Sequence, residues 1–201
     1  MFGGSLPRPQ HGSRGVKSMY DACMDTAANL VLVGPMGAGK SSIGKRLAQA
    51  LSLEFVDADR VLEARTGASV ADIFACEGEA GFRRRETALL VELLAGQGQL
   101  IATGGGVVLS ADNRALLARE ACVIHLDVSV AEQLRRLARD RTRPLLQRPD
   151  REAVLHAMAA ERAPLYAEVA DVRLDTDGCT PEQACRLLLP RIQDAWRGVA
   201  A

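Results

Sequence analysis

Eight residues, Gly34-Pro35-Met36-Gly37-Ala38-Gly39-Lys40-Ser41, carry the spacing G-x-x-x-x-G-K-S/T. That spacing serves one kind of chemistry, the cradling of a polyphosphate. Glycines let the backbone curl until successive N–H groups face phosphate oxygens. Here the donors would come from Gly37, Ala38, Gly39, Lys40, Ser41 and Ser42. Lys40 would set a point charge against the β- and γ-phosphates, and the Ser41 hydroxyl would serve Mg²⁺.

Such a loop works between a strand and a helix whose positive N-terminal end faces the phosphates. The flanks supply both. Residues 30–33 are an apolar run that reads as a buried strand. After the loop, Ile43, Leu47, Ala50 and Leu51 recur at helical spacing among Lys45, Arg46 and Gln49. A glycine turn between strand and helix is the plainer alternative. Strand, full motif and amphipathic helix together favour phosphate binding.

The same alternation continues along the chain. Short, largely apolar segments at 53–56, 99–103 and 122–126, and the segment at 171–174, read as further strands. Helical patterns lie at about 60–66, 69–76, 79–95, 111–119, 130–139 and 151–167, and from Pro181 onward. Five strands joined by helical crossovers predict an α/β fold, a parallel sheet with helices on both faces. Ligands bind such sheets at the carboxyl ends of the strands. The phosphate loop, Asp57 with Asp59, and Gly104-Gly105-Gly106 all fall at such ends.

Asp57 and Asp59 close the second predicted strand, where alternate residues share a face. One carboxylate could then serve Mg²⁺ and the other an acceptor hydroxyl. Equally, Asp59 could cap the helix that Val61, Leu62 and Arg65 begin. Arg83, Arg84 and Arg85 follow one another in a helix that turns by ~100° per residue, so they cannot share a target. One or two at most could grip a carboxylate with the planar guanidinium fork. Three glycines after the strand at 99–103 are costly unless backbone must approach something closely, a tight turn being the alternative. No acid follows that strand, so a metal would depend on Ser41 and Asp57. Residues 140–151 hold Arg141, Arg143, Arg148 and Arg151 with two prolines. They read as a mobile lid whose arginine could neutralise transferring charge, or else as a basic exposed loop.

The chain has 201 residues, enough for one domain with a full core. Its 25 basic and 25 acidic residues cancel, so no global charge draws it to nucleic acid or an anionic membrane. Cys23, Cys76, Cys122, Cys179 and Cys185 are scattered and odd in number, as expected of reduced thiols rather than disulfides or a zinc site. His125 sits in an apolar run and reads as a strand residue. No apolar run approaches transmembrane length. Residues 1–28 are rich in Gly, Pro, Ser and Arg and lack the apolar core of a signal peptide. They are expected to be a disordered extension, with Met24 offering an alternative start, before a folded domain at 29–201.

The stretches GPMGAGKSSIGKRLA, FVDADRVLE, GEAGFRRRE, TGGGVV, RPLL and ERAPLYAEVAD together resemble shikimate kinase, over about 29–190. The phosphate loop alone is shared by a very large class; the combination is specific. The resemblance implies a three-layer P-loop kinase fold with a lid at about 140–151. It implies transfer of the γ-phosphoryl group of ATP, with Mg²⁺, to the 3-hydroxyl of shikimate, on the chorismate route to aromatic amino acids. It assigns Asp59 to the substrate hydroxyls, Arg83 and Arg162 to the substrate carboxylate, and Gly105 to a backbone contact. Arg143 would reach the ATP phosphates from the lid. Arg136 would pack on adenine, with Arg135 and Arg139 as the alternatives for that role. The implied partners are small molecules alone, for a cytoplasmic monomer. A kinase for another small hydroxy acid, such as gluconate, is the runner-up; FRRRE and ERAPLY argue against it by supplying two carboxylate clamps. A non-catalytic nucleotide-binding module would be expected to have lost Asp59, Arg83 or Arg143, and none is lost.

Overall fold

The structure, a computed structural model, describes residues 29–138, 140 and 147–199. Along them run β1 (Asn29–Val33), α1 (Lys40–Leu51), β2 (Glu54–Asp57), α2 (Ala58–Thr66), α3 (Val70–Leu94) and β3 (Gln99–Ala102). A 3-10 turn (Val107–Leu109) follows, then α4 (Ala111–Glu120), β4 (Ala121–Asp127), α5 (Val130–Arg136), α6 (Arg151–Val169), β5 (Val172–Asp175) and α7 (Pro181–Val199). The strands form one parallel sheet in the order β2-β3-β1-β4-β5. The predicted α/β architecture is therefore the observed one.

β1 is buried along its whole length, and its alternate side chains feed two cores. Leu30 and Leu32 pack with Ile43 and Leu47 of α1 and Leu188 and Ile192 of α7. Val31 and Val33 pack on the opposite face with Leu89 and Leu90 of α3, Leu117 of α4 and Tyr166 of α6. A strand covered on both faces has no polar side, so it reads in sequence as an unbroken apolar run. Asn29 is the polar exception at its start. Its amide donates to the Gly96 carbonyl at 2.7 Å and its carbonyl accepts from the Gln99 N–H at 3.1 Å. It thus ties the end of α3 to the start of β3.

Three boundaries differ from expectation in ways that matter for the site. β2 ends at Asp57, and Asp59 lies in the first turn of α2. The two carboxylates are therefore not alternate residues of a strand. Asp57 is the N-cap, accepting from the Arg60 N–H, so the cap predicted for Asp59 falls two residues earlier. The helical patterns at 69–76 and 79–95 join in α3, with non-helical backbone at Gly78 (φ 68°, ψ 179°). α5 stops at Arg136 rather than 139. The predicted extension at 1–28, Arg139, and lid residues 141–146, Arg143 included, lie outside the described residues.

Candidate active site

The phosphate loop leaves β1 through Gly34, whose φ of 143° is closed to ordinary side chains. A Cβ there would also stand 2.2 Å from the Leu126 carbonyl oxygen. Gly39, at φ 93°, caps α1 without a side-chain hydrogen bond, and no acid lies in the first turn. The first N–H groups of α1 thus keep their donors and their positive end for an anion. Lys40 Nζ donates to the carbonyls of Gly34 and Pro35 at 2.6 and 2.9 Å, which lays its charge across the mouth of the loop.

Ser41 Oγ donates to Asp57 Oδ2 at 2.8 Å. Two oxygen donors in contact beside the phosphate loop suit Mg²⁺, which takes one or two protein oxygens and completes its shell with phosphates and water. No cluster of three or more acidic, His or Cys side chains occurs among the described residues. The pair therefore fits a shared metal site and no all-protein cage.

Opposite the loop stands the turn Gly104-Gly105-Gly106. A Cβ built on Gly104 would lie 3.0 Å from both Asp59 Oδ1 and Glu86 Oε1, so the two carboxylates press on one glycine. One built on Gly105 would lie 3.4 Å from the Gly34 carbonyl, where the turn meets the phosphate loop. The Gly105 carbonyl accepts from the Tyr166 hydroxyl and, at 3.4 Å, from Arg162 Nη1. Burial pushes the Tyr166 phenol up to about 12, so it stays a donor.

Arg83 is the single member of its triplet that faces this turn; Arg84 and Arg85 are exposed. Arg83 Nη1 donates to Glu86 Oε2 at 2.6 Å, and its guanidinium lies over the Phe82 ring at 5.2 Å and the Phe74 ring at 5.9 Å. Arg85 instead pairs with Glu77 across the break at Gly78. The Nε groups of both Arg83 and Arg162 are buried without a hydrogen-bond partner. Two arginines from different helices thus present unspent donors beside the glycine turn, an arrangement that recruits an anion.

Glu86 was not singled out from sequence. It is buried, and desolvation outweighs the Arg83 guanidinium in holding its carboxyl above the ordinary range, with Asp59 adding to the rise. Its position three residues after Arg83 on the same helical face was the available signal. Tyr166 and Gly106 were missed too, because their roles arise from contacts distant in sequence.

Arg136 reaches the phosphate loop from α5. Its guanidinium donates to the Gly37 carbonyl at 2.9 Å and to Thr176 Oγ1 at 3.1 Å, and Glu132 holds Nε at 2.7 Å. Arg135 pairs with Glu132 and points outward. Of these two, Arg136 is the one beside the nucleotide loop.

The sequence model of the shikimate kinase family matches residues 36–193. A shikimate kinase of Stenotrophomonas maltophilia is 55% identical over 174 residues, covering 87% of this chain and 97% of that one. A shikimate kinase of Xanthomonas oryzae matches with the same identity and coverage. Among solved structures, shikimate kinase from Acinetobacter baumannii in complex with shikimate superposes with a TM-score of 0.82 at 40% identity, over 87% of this chain and 97% of that one. The loop, the acid pair and the facing arginines are thus those of a chain that belongs to the shikimate kinase family.

Proposed function

We propose that this site transfers the γ-phosphoryl group of ATP to the 3-hydroxyl of shikimate. The observation that carries the reading is the convergence of Arg83 and Arg162, each with a buried Nε–H that makes no hydrogen bond, on a glycine turn that Asp59 also abuts. A small acceptor with a carboxylate at one end and hydroxyls at the other meets both demands. Shikimate is a trihydroxy cyclohexene carboxylate.

In this reading the N–H groups of Gly37, Ala38, Gly39, Lys40, Ser41 and Ser42 hold the phosphates, and Arg136 supports the adenine. Ser41 and Asp57 would hold Mg²⁺, which when bound neutralises phosphate charge. Lys40 leaves the carbonyls of Gly34 and Pro35 for the β- and γ-phosphates, and Arg143 approaches them from the lid. Arg83 and Arg162 grip the carboxylate, Gly105 presents its backbone, and Asp59 orients the 3-hydroxyl and takes its proton. A carboxylate with an ordinary pKa of about 3.9 is a weak base for an alcohol. The transition state is loose, so the proton leaves late and positioning carries most of the rate. Glu86 holds the Arg83 fork in place. No helix among the described residues is long and apolar enough to cross a membrane. The free thiols at Cys76, Cys122, Cys179 and Cys185 accord with a reducing compartment, and the proposal is completed by what the family resemblance implies, a cytoplasmic monomer acting on small molecules.

The test is a coupled ADP-release assay with shikimate and with gluconate. Turnover is expected with shikimate alone. Asp59→Asn should lower kcat by about two orders of magnitude with a modest change in KM, since the amide keeps hydrogen bonding but accepts no proton. An Asp59→Asn enzyme with undiminished kcat would reduce Asp59 to a residue of the first helical turn.

A further inference from the structure

Glycine at position 106 is not explained by backbone conformation. None of Gly104, Gly105 and Gly106 has a left-handed φ, and Gly106 itself sits at φ −102°, ψ 1°, which other residues adopt. Space explains it. A Cβ built on Gly106 would lie 2.2 Å from Arg83 Nη2, 2.5 Å from Nη1 and 2.6 Å from Cζ, within the guanidinium itself. That group has little freedom to step aside. Glu86 holds one edge at 2.6 Å, Glu79 touches another at 3.3 Å, and the rings of Phe74 and Phe82 flank it.

We propose that Gly106 is a specificity-determining position for the acceptor: its bare Cα seats the Arg83 guanidinium and fixes the span between the carboxylate clamp and Asp59. The turn works as a ruler. Gly104 abuts Asp59 at the hydroxyl end, and Gly106, two residues on, abuts Arg83 at the carboxylate end. One stretch of backbone therefore sets both ends of the acceptor pocket. A methyl group at 106 must push the clamp outward by roughly 1 Å, and misplacement on that scale costs up to about 10²-fold. The inference rests on the reading of Arg83 as the carboxylate clamp and adds that Gly106, acting through Arg83, is a positioning residue.

The experiment is a double-mutant cycle on the full chain: wild type, Gly106→Ala, Arg83→Ala and the pair. Shikimate affinity by calorimetry, KM for both substrates, kcat and thermal midpoint are measured at each corner. The carboxamide of shikimate, of like shape but uncharged, serves as a second acceptor. Gly106→Ala is expected to weaken shikimate binding at least tenfold and leave the KM for ATP within twofold. It should cut the preference for shikimate over the carboxamide by the same factor. In the Arg83→Ala background it should cost less than twofold more. Independent costs that multiply, or an equal rise in the KM for ATP, overturn the proposal. If Gly106→Ala lowers the thermal midpoint, that loss should vanish when the change is made in the Arg83→Ala background; an equal loss in both backgrounds also overturns it. Arg83→Ala with unchanged shikimate affinity would instead refute the clamp reading on which the proposal stands.

Discussion

Lys40 and Arg83 are both cations, yet the proposed reaction gives them different tasks that substitution can separate. Lys40 lies on the carbonyls of its own loop, and in the proposed reaction it meets charge that develops in the transferring group. Lys40→Ala is expected to reduce kcat by about 10²–10³ with the fold intact, the range for losing one electrostatic partner of a transition state. A drop of less than tenfold in a steady-state assay would remove Lys40 from that role. In the same proposal Arg83 grips the acceptor. Arg83→Lys keeps the charge and loses the fork, so the KM for shikimate should rise far more than that for ATP. The same change at Arg84 or Arg85, which point to solvent, should leave both constants nearly unaltered. Equal effects at all three positions would mean that the helix carries a diffuse charge and no clamp.

At the scale of elements, the site depends on β1 delivering its loop and α3 delivering Arg83 in fixed relation. Asn29 is the joint between them, buried at the foot of β1 and bonded to the end of α3 and the start of β3. Asn29→Ala leaves the Gly96 carbonyl and the Gln99 N–H short of a partner. It should destabilise the protein by about 1–3 kcal/mol, read as a lower urea midpoint at unchanged slope. A smaller effect would mean that water replaces the amide. At the opposite end of β1, Gly34→Ala combines a forbidden φ with a clash against Leu126. Loss of nucleotide binding is expected there even in protein that still folds.

For the molecule as a whole, the clearest pH dependence comes from the middle of the sheet. His125 in β4 is buried, stacks on Tyr166 at 4.8 Å, and neither ring nitrogen has a hydrogen-bond partner. Burial pushes its pKa down to about 4, with Arg173 and Lys40 lowering it and Asp127 opposing. The unfolded chain therefore takes up this proton near pH 6.5, while the native state resists until about 4. Stability must then fall as pH drops through that window, by at most roughly 3 kcal/mol. His125→Phe keeps the stack and removes the titration. Its thermal midpoint should lose less than wild type between pH 6.5 and 4; parallel curves would assign the acid sensitivity to other groups.

Much of this protein is written locally. The phosphate loop is contiguous, so eight residues in order carry its spacing, and a strand buried on both faces leaves an unbroken apolar run. Five strand segments separated by helical patterns point to a parallel sheet, since parallel neighbours need crossovers; the edge strands β2 and β5 are only partly buried and carry no unbroken run. The turn of a helix alone settled that three successive arginines cannot share a target. Other features follow from which distant residues meet. Asp57 rather than Asp59 caps α2, because the helix begins at Ala58, two residues before its apolar pattern. Glu86 backs Arg83 and shares Gly104 with Asp59, although 27 positions separate the two acids in the chain. The three glycines are alike in sequence and serve three neighbours in space: the carboxylates, the phosphate loop and a guanidinium. Sequence shows that close approach is permitted at such a turn. Only the packing of α2, α3 and β1 around it decides what approaches, because those contacts join residues that no local spacing relates.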